Sequence, residues 1–411
     1  MFAILFAKEI LMIKDGMKTM KPSVKIGSLL LAVVMILSAV FVSGCSLNKE
    51  WSYKTSDKEL SIGVYIYALD VAYSQAETYA KKLDDYDSTK DSWLDMEITD
   101  DDGNTKVAKD WIKEQAETMC LSFLVVDQQL DKEGASVDEA TMQSADDQAE
   151  TYWNVGQYAQ YGYVMPMKDD LEPFGISLES FKYCTTEYST KQSALFNALY
   201  GKGGSKEVSD SELTKYFTEN YVDYKYLPVN LYTSSADESG KSVNTALSDD
   251  DAKKITDELD GYADAINKSD MKFEGSVEKY MDKNSIDTDP SKSSIEALEK
   301  FSAGDELKEA VEKLDGGKAT TIKVGSGDSA IYYLIYKNDI KDTAVTYFDD
   351  ASQKSSVLSA MKQDEFNDYI KDLTKDLDYD ANTGVIDSYN PKMFFKSVEP
   401  TTSASTTTAV E

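Results

Sequence analysis

A glycine run followed by a capped helix and an alternating strand divides this sequence into two parts with different patterns. The glycine run lies at residues 201–204. Ser209 and Glu212 then form a capping box, and Val208 can pack on Leu213 at the start of the helix. Aromatic and aliphatic residues alternate through the strand "DYKYLPVNLYTS" that follows. We therefore expect a helix-rich part before this helix and a separate, strand-containing part after it.

The first part shows the periodicity of packed helices. In "VAKDWIKEQAETMCLSFLVVDQQLDKEG", apolar residues recur at helical spacing until a glycine ends the pattern. This long helix must bury its apolar stripe, and helices near 137–153 and 177–200 are the expected partners. Cys120 and Cys184 fall within these patterns, which favours small apolar core residues; a disulfide is the alternative.

An aromatic segment, "WNVGQYAQYGYVMP", separates the two partner helices. It carries Tyr158, Tyr161 and Tyr163 beside two glycines, a composition typical of adaptable peptide-contacting surfaces. Packing of this loop onto the helices is the alternative, and the pattern favours it. Because of this composition, the three tyrosines are candidate peptide-binding residues.

The second part predicts a small mixed domain. The order strand, three helices and two strands over residues 222–341 indicates an α+β fold with a mixed or antiparallel sheet, and we expect an acidic polar loop over 234–247. Three consecutive aspartates follow Ser248 in the first turn of a helix, where negative charge complements the helix dipole. A last long helix follows this domain and presents an apolar stripe.

The composition excludes several classes of function. The sequence contains no histidine and no arginine, and 74 acidic residues against 43 lysines give a formal net charge of −31 at pH 7. Without histidine, a Ser-His-Asp triad is impossible. Without arginine, the bidentate clamp for phosphate is missing, and so acidic a chain repels nucleic acid. No metal-ligand spacing is present, so we expect no metal site, no cofactor and no nucleic-acid partner.

The N-terminus has the pattern of a secretory signal that ends at a lipid-attachment site. Lysines precede an apolar run over residues 29–42, and the run ends in "VSGC". The Cys45 thiol is the group there that can be alkylated with a diacylglyceryl chain. We therefore expect removal of residues 1–44 and an extracytoplasmic protein, lipid-anchored to the bacterial cell membrane. An uncleaved membrane helix over 26–47 is the alternative, and Met17 is an alternative start.

This arrangement resembles the lipid-anchored extracytoplasmic foldases of the PrsA and SurA type. The resemblance is carried by "VSDSELTKYFTENY" before the first strand and by "DELKEAVEKLDGGKATTIKV" leading into the last one. It implies an α+β fold in which a helical, SurA N-terminal-like chaperone domain, built from N- and C-terminal segments, contains an inserted parvulin-type (PpiC-like) prolyl isomerase domain. The implied boundaries are a signal at 1–44, a helical peptide-binding domain at 45–207, a connecting helix at 208–221, a parvulin-like domain at 222–341, a C-terminal helix returning to the helical domain at 342–398 and a disordered tail at 399–411.

Parvulin domains carry a histidine on the first strand and another near the start of the last strand, and Tyr226 and Tyr333 stand at those places here. The family's glycine-rich segment is replaced by "PSKSSIEALEKF". Because rotation about a prolyl bond needs no proton transfer, hydroxyls at Tyr226 and Tyr333 can serve as candidate catalytic groups. Core aromatic residues are the alternative role for both. This interpretation requires residues 224–231 and 331–336 to be neighbouring strands of one sheet.

The resemblance implies a membrane-anchored foldase or chaperone that binds unfolded or nascent secreted polypeptides. Because the parvulin histidines are replaced by Tyr226 and Tyr333, we expect its isomerase-like domain to have weak or no activity. One alternative is an active peptidyl-prolyl cis-trans isomerase. A second is a solute-binding lipoprotein, for which two similar lobes with repeated strand-helix units are expected.

Overall fold

The computed structural model describes residues 50–396, which form two compact units. The first unit contains residues 50–207 and 363–396, and the second contains residues 208–362. The predicted signal, the lipid-attachment residue Cys45 and the predicted tail at 399–411 lie outside the described residues. Between residues 50 and 396, every helix is too short or too polar to cross a membrane.

The N-terminal part of the first unit is mainly helical. Its strands are β1 Trp51–Lys54, β2 Glu59–Ser61, β3 Glu97–Thr99 and β4 Thr105–Val107. Its longer helices are α1 Ile62–Ala80, α2 Ala108–Lys132, α3 Glu139–Asn154, α4 Lys168–Leu171, α5 Leu178–Lys182 and α6 Tyr188–Tyr200, with a π-helical turn at Tyr183–Glu187 between the last two. The long helix and the helices predicted near 137–153 and 177–200 are therefore confirmed.

Helix α1 is the centre of the first unit. Twelve of its nineteen residues are buried, as expected for a helix that is apolar around most of its surface. It packs against α2, in which Trp111, Cys120 and Phe123 of the predicted stripe are all buried. Gly63 allows α5 to approach α1 closely, since a Cβ at this position would overlap the hydroxyl of Ser180.

The two cysteines of the described region are core residues. Cys120 lies in α2 and Cys184 in the π-helical turn, and both are buried and free. The prediction of small apolar core residues is confirmed, and the disulfide alternative is wrong. Burial raises the pKa of both thiols, so they stay protonated.

The second unit combines helices with a small sheet. Its strands are β5 Tyr221–Asn230, β6 Tyr232–Ala236, β7 Ser242–Ala246, β8 Lys292–Ala297, β9 Lys318–Val324 and β10 Ile331–Lys337. Its helices are α7 Asp210–Asn220, α8 Asp249–Asn267, α9 Phe273–Asn284, α10 Asp305–Lys313 and α11 Ile340–Tyr347. Helix α12 Ala351–Lys375 begins in this unit and ends in the first, where β11 Asp380–Ala381 and α13 Thr383–Ile386 follow it.

The main sheet of the second unit has the order β8-β5-β10-β9, and every neighbouring pair is antiparallel. Strand β10 lies beside β5, with Tyr333 opposite Pro228 and Ile335 opposite Tyr226. The predicted neighbourhood of 224–231 and 331–336 is therefore confirmed.

Helices cover both faces of this sheet. Leu227 and Leu334 face α8 and α9, where they join Leu259 in one apolar core. Tyr224 and Ile335 face the opposite side, where they pack with residues of α10. This alternation follows from the two-residue period of the strands, because successive side chains point to opposite faces.

Two parts of the predicted order are wrong. Residues 234–247 are a hairpin of β6 and β7 instead of an acidic polar loop, with Ser234 and Asn244 directly paired. Strand β8 was also not predicted; it lies at 292–297, within the segment that replaces the glycine-rich motif. Both errors have one cause, since polar serine, threonine and asparagine side chains dominate these strands and give no apolar alternation.

Residues after α12 complete the first unit. Strand β11 pairs with β1, with Ala381 opposite Tyr53. The Tyr379 hydroxyl donates to Oε1 of Glu117 at 2.8 Å, and the Tyr369 hydroxyl donates to the buried Gln129 at 2.9 Å. The first unit is thus built from both ends of the described chain.

Candidate peptide-binding surfaces

Four aromatic side chains form a row on the α10 side of the main sheet. Phe301 stacks on Tyr224 with ring centroids 4.8 Å apart, and Tyr224 stacks on Tyr226 at 6.0 Å. Tyr226 meets Tyr333 of the neighbouring strand at 5.8 Å. We call these four residues the aromatic row. Aromatic pairs at such spacings stabilise the fold beyond simple burial.

The Tyr224 end of the row is closed. Tyr224 is fully buried, and its hydroxyl donates a hydrogen bond of 2.6 Å to Oε1 of Glu296 on β8. Burial raises the pKa of Tyr224, and the Glu296 carboxylate raises it further. This tyrosine is therefore part of the core and has no hydroxyl to offer a ligand.

The Tyr226 and Tyr333 end is open. Both side chains are half-buried, and neither hydroxyl hydrogen-bonds to another protein group within residues 50–396. Burial raises the pKa of Tyr333, with smaller contributions from Tyr226, Glu306 and Tyr232. The Tyr333 hydroxyl is therefore protonated at neutral pH and can donate to a carbonyl oxygen.

Strand pairing explains why the sheet is accessible at this point. The pairing of β8 with β5 ends where Lys292 meets Tyr226, so residues 227–230 of β5 pair with β10 alone. Pro228 lies in this stretch and has no backbone N–H to leave unsatisfied on the open side. The open part of the aromatic row therefore lies next to a free strand edge.

This geometry suits an apolar, extended ligand. The ring faces of Tyr226 and Tyr333 offer apolar area, and their hydroxyls offer hydrogen bonds at its rim. An amide that twists toward the transition state of prolyl rotation, whose barrier is about 18–20 kcal/mol, needs such contacts and no proton transfer. The structure brings the two candidate catalytic tyrosines together in this arrangement.

A second candidate surface lies on the loop between α3 and α4, which we call the tyrosine loop and define as residues 156–165. Its large apolar side chains are exposed to an unusual degree: Tyr158 49%, Tyr161 67%, Tyr163 65%, Val164 68% and Met165 64%. The interpretation that these tyrosines pack onto the helices is therefore wrong. The candidate peptide-binding tyrosines lie together with two further apolar residues that the sequence analysis did not single out.

The base of the tyrosine loop holds it in this exposed position. The Met165 N–H donates to the Val155 carbonyl at 2.8 Å and closes the loop. Gly156 adopts a φ of +102°, and a Cβ there would overlap the Met165 carbonyl. Trp153 anchors the preceding helix by packing on Phe181 at 5.4 Å. The base of the loop is therefore fixed by a backbone hydrogen bond, by the close approach of Gly156 to Met165 and by the packing of Trp153.

The acidic residues form no comparable site. Within the described part of the chain, no three acidic or cysteine side chains converge as metal ligands. Asp251 accepts hydrogen bonds from Ser248 and Lys254 at the start of α8, which lowers its pKa. This agrees with the predicted role of the three aspartates at a helix N-terminus.

Sequence reasoning missed several members of these surfaces. Glu296 and Phe301 were not recognised because their segment, residues 290–301, was interpreted only as the replacement for a glycine-rich motif. Val164 and Met165 directly follow the tyrosines and precede Pro166, so the continuous apolar run in "YVMP" was the available signal. A run of this kind next to glycines is difficult to bury, since the chain has no regular period there.

Comparisons with known proteins give limited likeness. No protein-family model matches this chain, and a search of curated proteins finds no match. Among solved structures, the foldase protein PrsA from Streptococcus pneumoniae is 16% identical, with 71% of this chain and 97% of that chain covered and a TM-score of 0.29. PrsA from Bacillus subtilis is 17% identical, with 69% and 94% covered and a TM-score of 0.25. Because these TM-scores are low, the functional proposals below rest on the residues of this chain.

Proposed function

We propose that this chain is a lipid-anchored extracytoplasmic protein that binds unfolded or nascent secreted polypeptides and assists their folding. The tyrosine loop is the observation that carries the proposal. In the described residues, it holds five of the eight large hydrophobic side chains that are strongly exposed. Soluble monomers seldom expose contiguous apolar patches, and such patches mark sites where another molecule binds.

The chemistry of the tyrosine loop favours varied polypeptides over a single shaped ligand. Tyrosine provides large, rigid contact area with a polar tip, and methionine adapts to differently shaped partners. The net charge of −31 keeps such a chain soluble and repels other acidic surfaces. Both properties suit a protein that holds incompletely folded chains without aggregating.

The proposed arrangement follows the predicted boundaries. A lipid on Cys45 would tether a helical peptide-binding domain at 45–207, completed by 342–398, and a parvulin-like domain at 222–341 would follow the connecting helix 208–221.

A solute-binding lipoprotein with two similar lobes receives no support, because the first unit is mainly helical and the second contains a four-stranded antiparallel sheet.

A refolding experiment tests the holding function. The chain from residue 46 onward is added to an aggregation-prone secreted protein during refolding, and light scattering is followed. We expect it to suppress aggregation, and we expect Tyr161→Ser/Tyr163→Ser to lose most of this effect. The matched control is Val243→Ser/Val345→Ser, which removes two exposed apolar side chains from the second unit and should act like the unmodified chain. Equal suppression by the loop variant and the control would contradict the proposal.

An active prolyl isomerase is the second candidate function. The observation in its favour is the pair of tyrosines whose hydroxyls have no protein partner in the described region, at the open end of the aromatic row. It predicts faster cis/trans exchange in a proline peptide, and a loss of that acceleration in Tyr226→Phe and Tyr333→Phe. We propose weak or no activity, because the two histidines of parvulin domains are replaced here. An exchange rate equal to that without protein would leave the domain as a binding scaffold.

A further inference from the structure

A groove on the second unit lies outside both candidate surfaces. It runs between α9 and the start of β8, on the sheet side opposite the aromatic row. Its floor is apolar and consists of Phe273, Val277, Met281 and Ile286. We call it the α9 groove.

Charges on α9 are sorted between the two sides of the helix. Glu274, Glu278 and Asp282 lie at i, i+4 and i+8 and all line the α9 groove. The lysines of the same helix face α8: Lys279 lies over the Tyr262 ring at 5.6 Å, and Lys283 pairs with Glu258 at 2.7 Å. One side of α9 is therefore a row of carboxylates above an apolar floor.

Most of this negative charge is available to a ligand. Glu274 forms an ion pair with Lys225. Glu278 and Asp282 are exposed, and neither forms an ion pair with a lysine of the described chain. Asp289 and Lys292 also line the groove and carry opposite charges. The groove is thus acidic overall, and it is complementary to a cationic partner.

The spacing of the carboxylates matches an extended chain. Four residues of α-helix advance about 6 Å, whereas two residues of strand advance about 6.6 Å. Alternate side chains of an extended segment can therefore meet successive carboxylates, while the side chains between them point to the floor. Strand β8 is the outermost strand of its sheet, and an extended backbone can add to an edge strand of this kind.

We propose that the α9 groove binds an extended polypeptide segment in which lysine or arginine alternates with apolar residues. The cationic side chains pair with Glu278 and Asp282, which have no lysine partner in the described residues, and the apolar ones contact Val277 and Met281. This site recognises charge and extended conformation, which distinguishes it from the tyrosine loop. It does not depend on the proposed folding function, since binding follows from the groove alone.

Binding of a defined peptide tests the proposal. The probe is a fluorescent nine-residue peptide, blocked at both ends, that alternates lysine with leucine or alanine; its partner is the chain from residue 46 onward. We expect the variant Glu278→Gln/Asp282→Asn to bind the peptide about tenfold more weakly than the unmodified chain does, because two exposed ion pairs with the peptide's lysines are lost. The control Glu309→Gln/Glu312→Gln removes the same charge from α10 on the other side of the sheet, and its affinity should be unchanged.

Two further measurements locate the peptide. Hydrogen exchange should show protection of residues 273–284 and 292–297 when the lysine peptide is added. A peptide with glutamate in place of lysine should not bind. Tyr161→Ser/Tyr163→Ser should keep full affinity, so a failure of the proposed folding function would leave this result intact. Equal losses in the groove variant and the α10 control, or protection confined to other segments, would overturn the proposal.

Discussion

At the residue scale, Asp70 places a carboxylate in the mostly buried helix α1. Burial raises its pKa from 3.8 to about 6; Lys396 opposes this rise, and Asp170 adds to it. The folded-state pKa therefore lies above the unfolded-state value. A carboxyl group of this kind contributes most to stability below about pH 4, and that contribution is lost as the pH rises through 6.

Asp70→Asn should consequently stabilise the protein at neutral pH and not at acid pH. The amide carries no charge to desolvate, so we expect a gain of about 1–2 kcal/mol in the free energy of unfolding at pH 7.5. At pH 4 the gain should vanish. Urea unfolding of the unmodified chain and of Asp70→Asn between pH 4 and pH 7.5 measures this difference. Asp85→Asn, at an exposed position, is the control. A gain that is constant with pH would show that the carboxyl group does not titrate near 6.

The two buried thiols lead to a second prediction at this scale. Cys120 and Cys184 are buried and protonated, and alkylation requires an exposed thiolate. In the chain from residue 46 onward, we expect iodoacetamide to modify them at least about a hundredfold more slowly in the folded state than in urea. Mass spectrometry over time gives both rates. Rapid labelling of the folded chain would show that the core around α2 opens easily.

At the element scale, helix α7 has a complete capping box. The Glu212 N–H donates to Oγ of Ser209 at 3.2 Å, and the Ser209 N–H donates to Oε2 of Glu212 at 2.9 Å. Ser209→Ala should therefore destabilise the protein by about 1 kcal/mol. Ser211→Ala, at an exposed position two residues later, is the control. Chemical unfolding compares the two, and similar losses would show that the cap contributes nothing specific.

Elements with strong apolar patterns were predictable, and those with polar patterns were not. The apolar residues of α2 recur at helical spacing, and most of them are buried, so the local sequence determines this helix. Strand β8 is held by pairing with β5 and by the Glu296 bond to Tyr224, neither of which is visible in its own sequence. Contacts with other parts of the fold determine whether such polar segments form strands.

The candidate sites were predictable to a similar degree. Tyr226 and Tyr333 were found because the resemblance to parvulin domains places histidines at these two positions. The pairing of β8 with β5 ends at Tyr226, and the hydroxyls of Tyr226 and Tyr333 have no protein hydrogen-bond partner within residues 50–396; the strand pattern shows neither fact. Tyr161 is 67% exposed, and the composition of its segment did not distinguish this exposed loop from one packed onto the helices. The α9 groove lies between α9 and the start of β8, and no sequence pattern predicted that these two elements lie side by side.

At the scale of the whole molecule, excess negative charge opposes folding. With 74 acidic residues and 43 lysines, self-repulsion is strong at low ionic strength and is screened by salt. Raising sodium chloride from about 20 to about 200 mM should increase the melting temperature by about 2–4 °C. Choline chloride should act equally, because screening does not depend on the cation. A response to sodium alone would indicate specific ion binding instead.

The pairing of β1 with β11 has a consequence for the order in which the chain can fold. Residues 208–362 are contiguous, so their core can form as soon as they have emerged from a ribosome or a translocation channel. The first unit needs Ala381 beside Tyr53, and it must wait until almost the entire chain is available. Helix α1 therefore emerges early and reaches its final packing last. During this interval, the newly synthesised protein is itself an incompletely folded polypeptide with an exposed apolar helix.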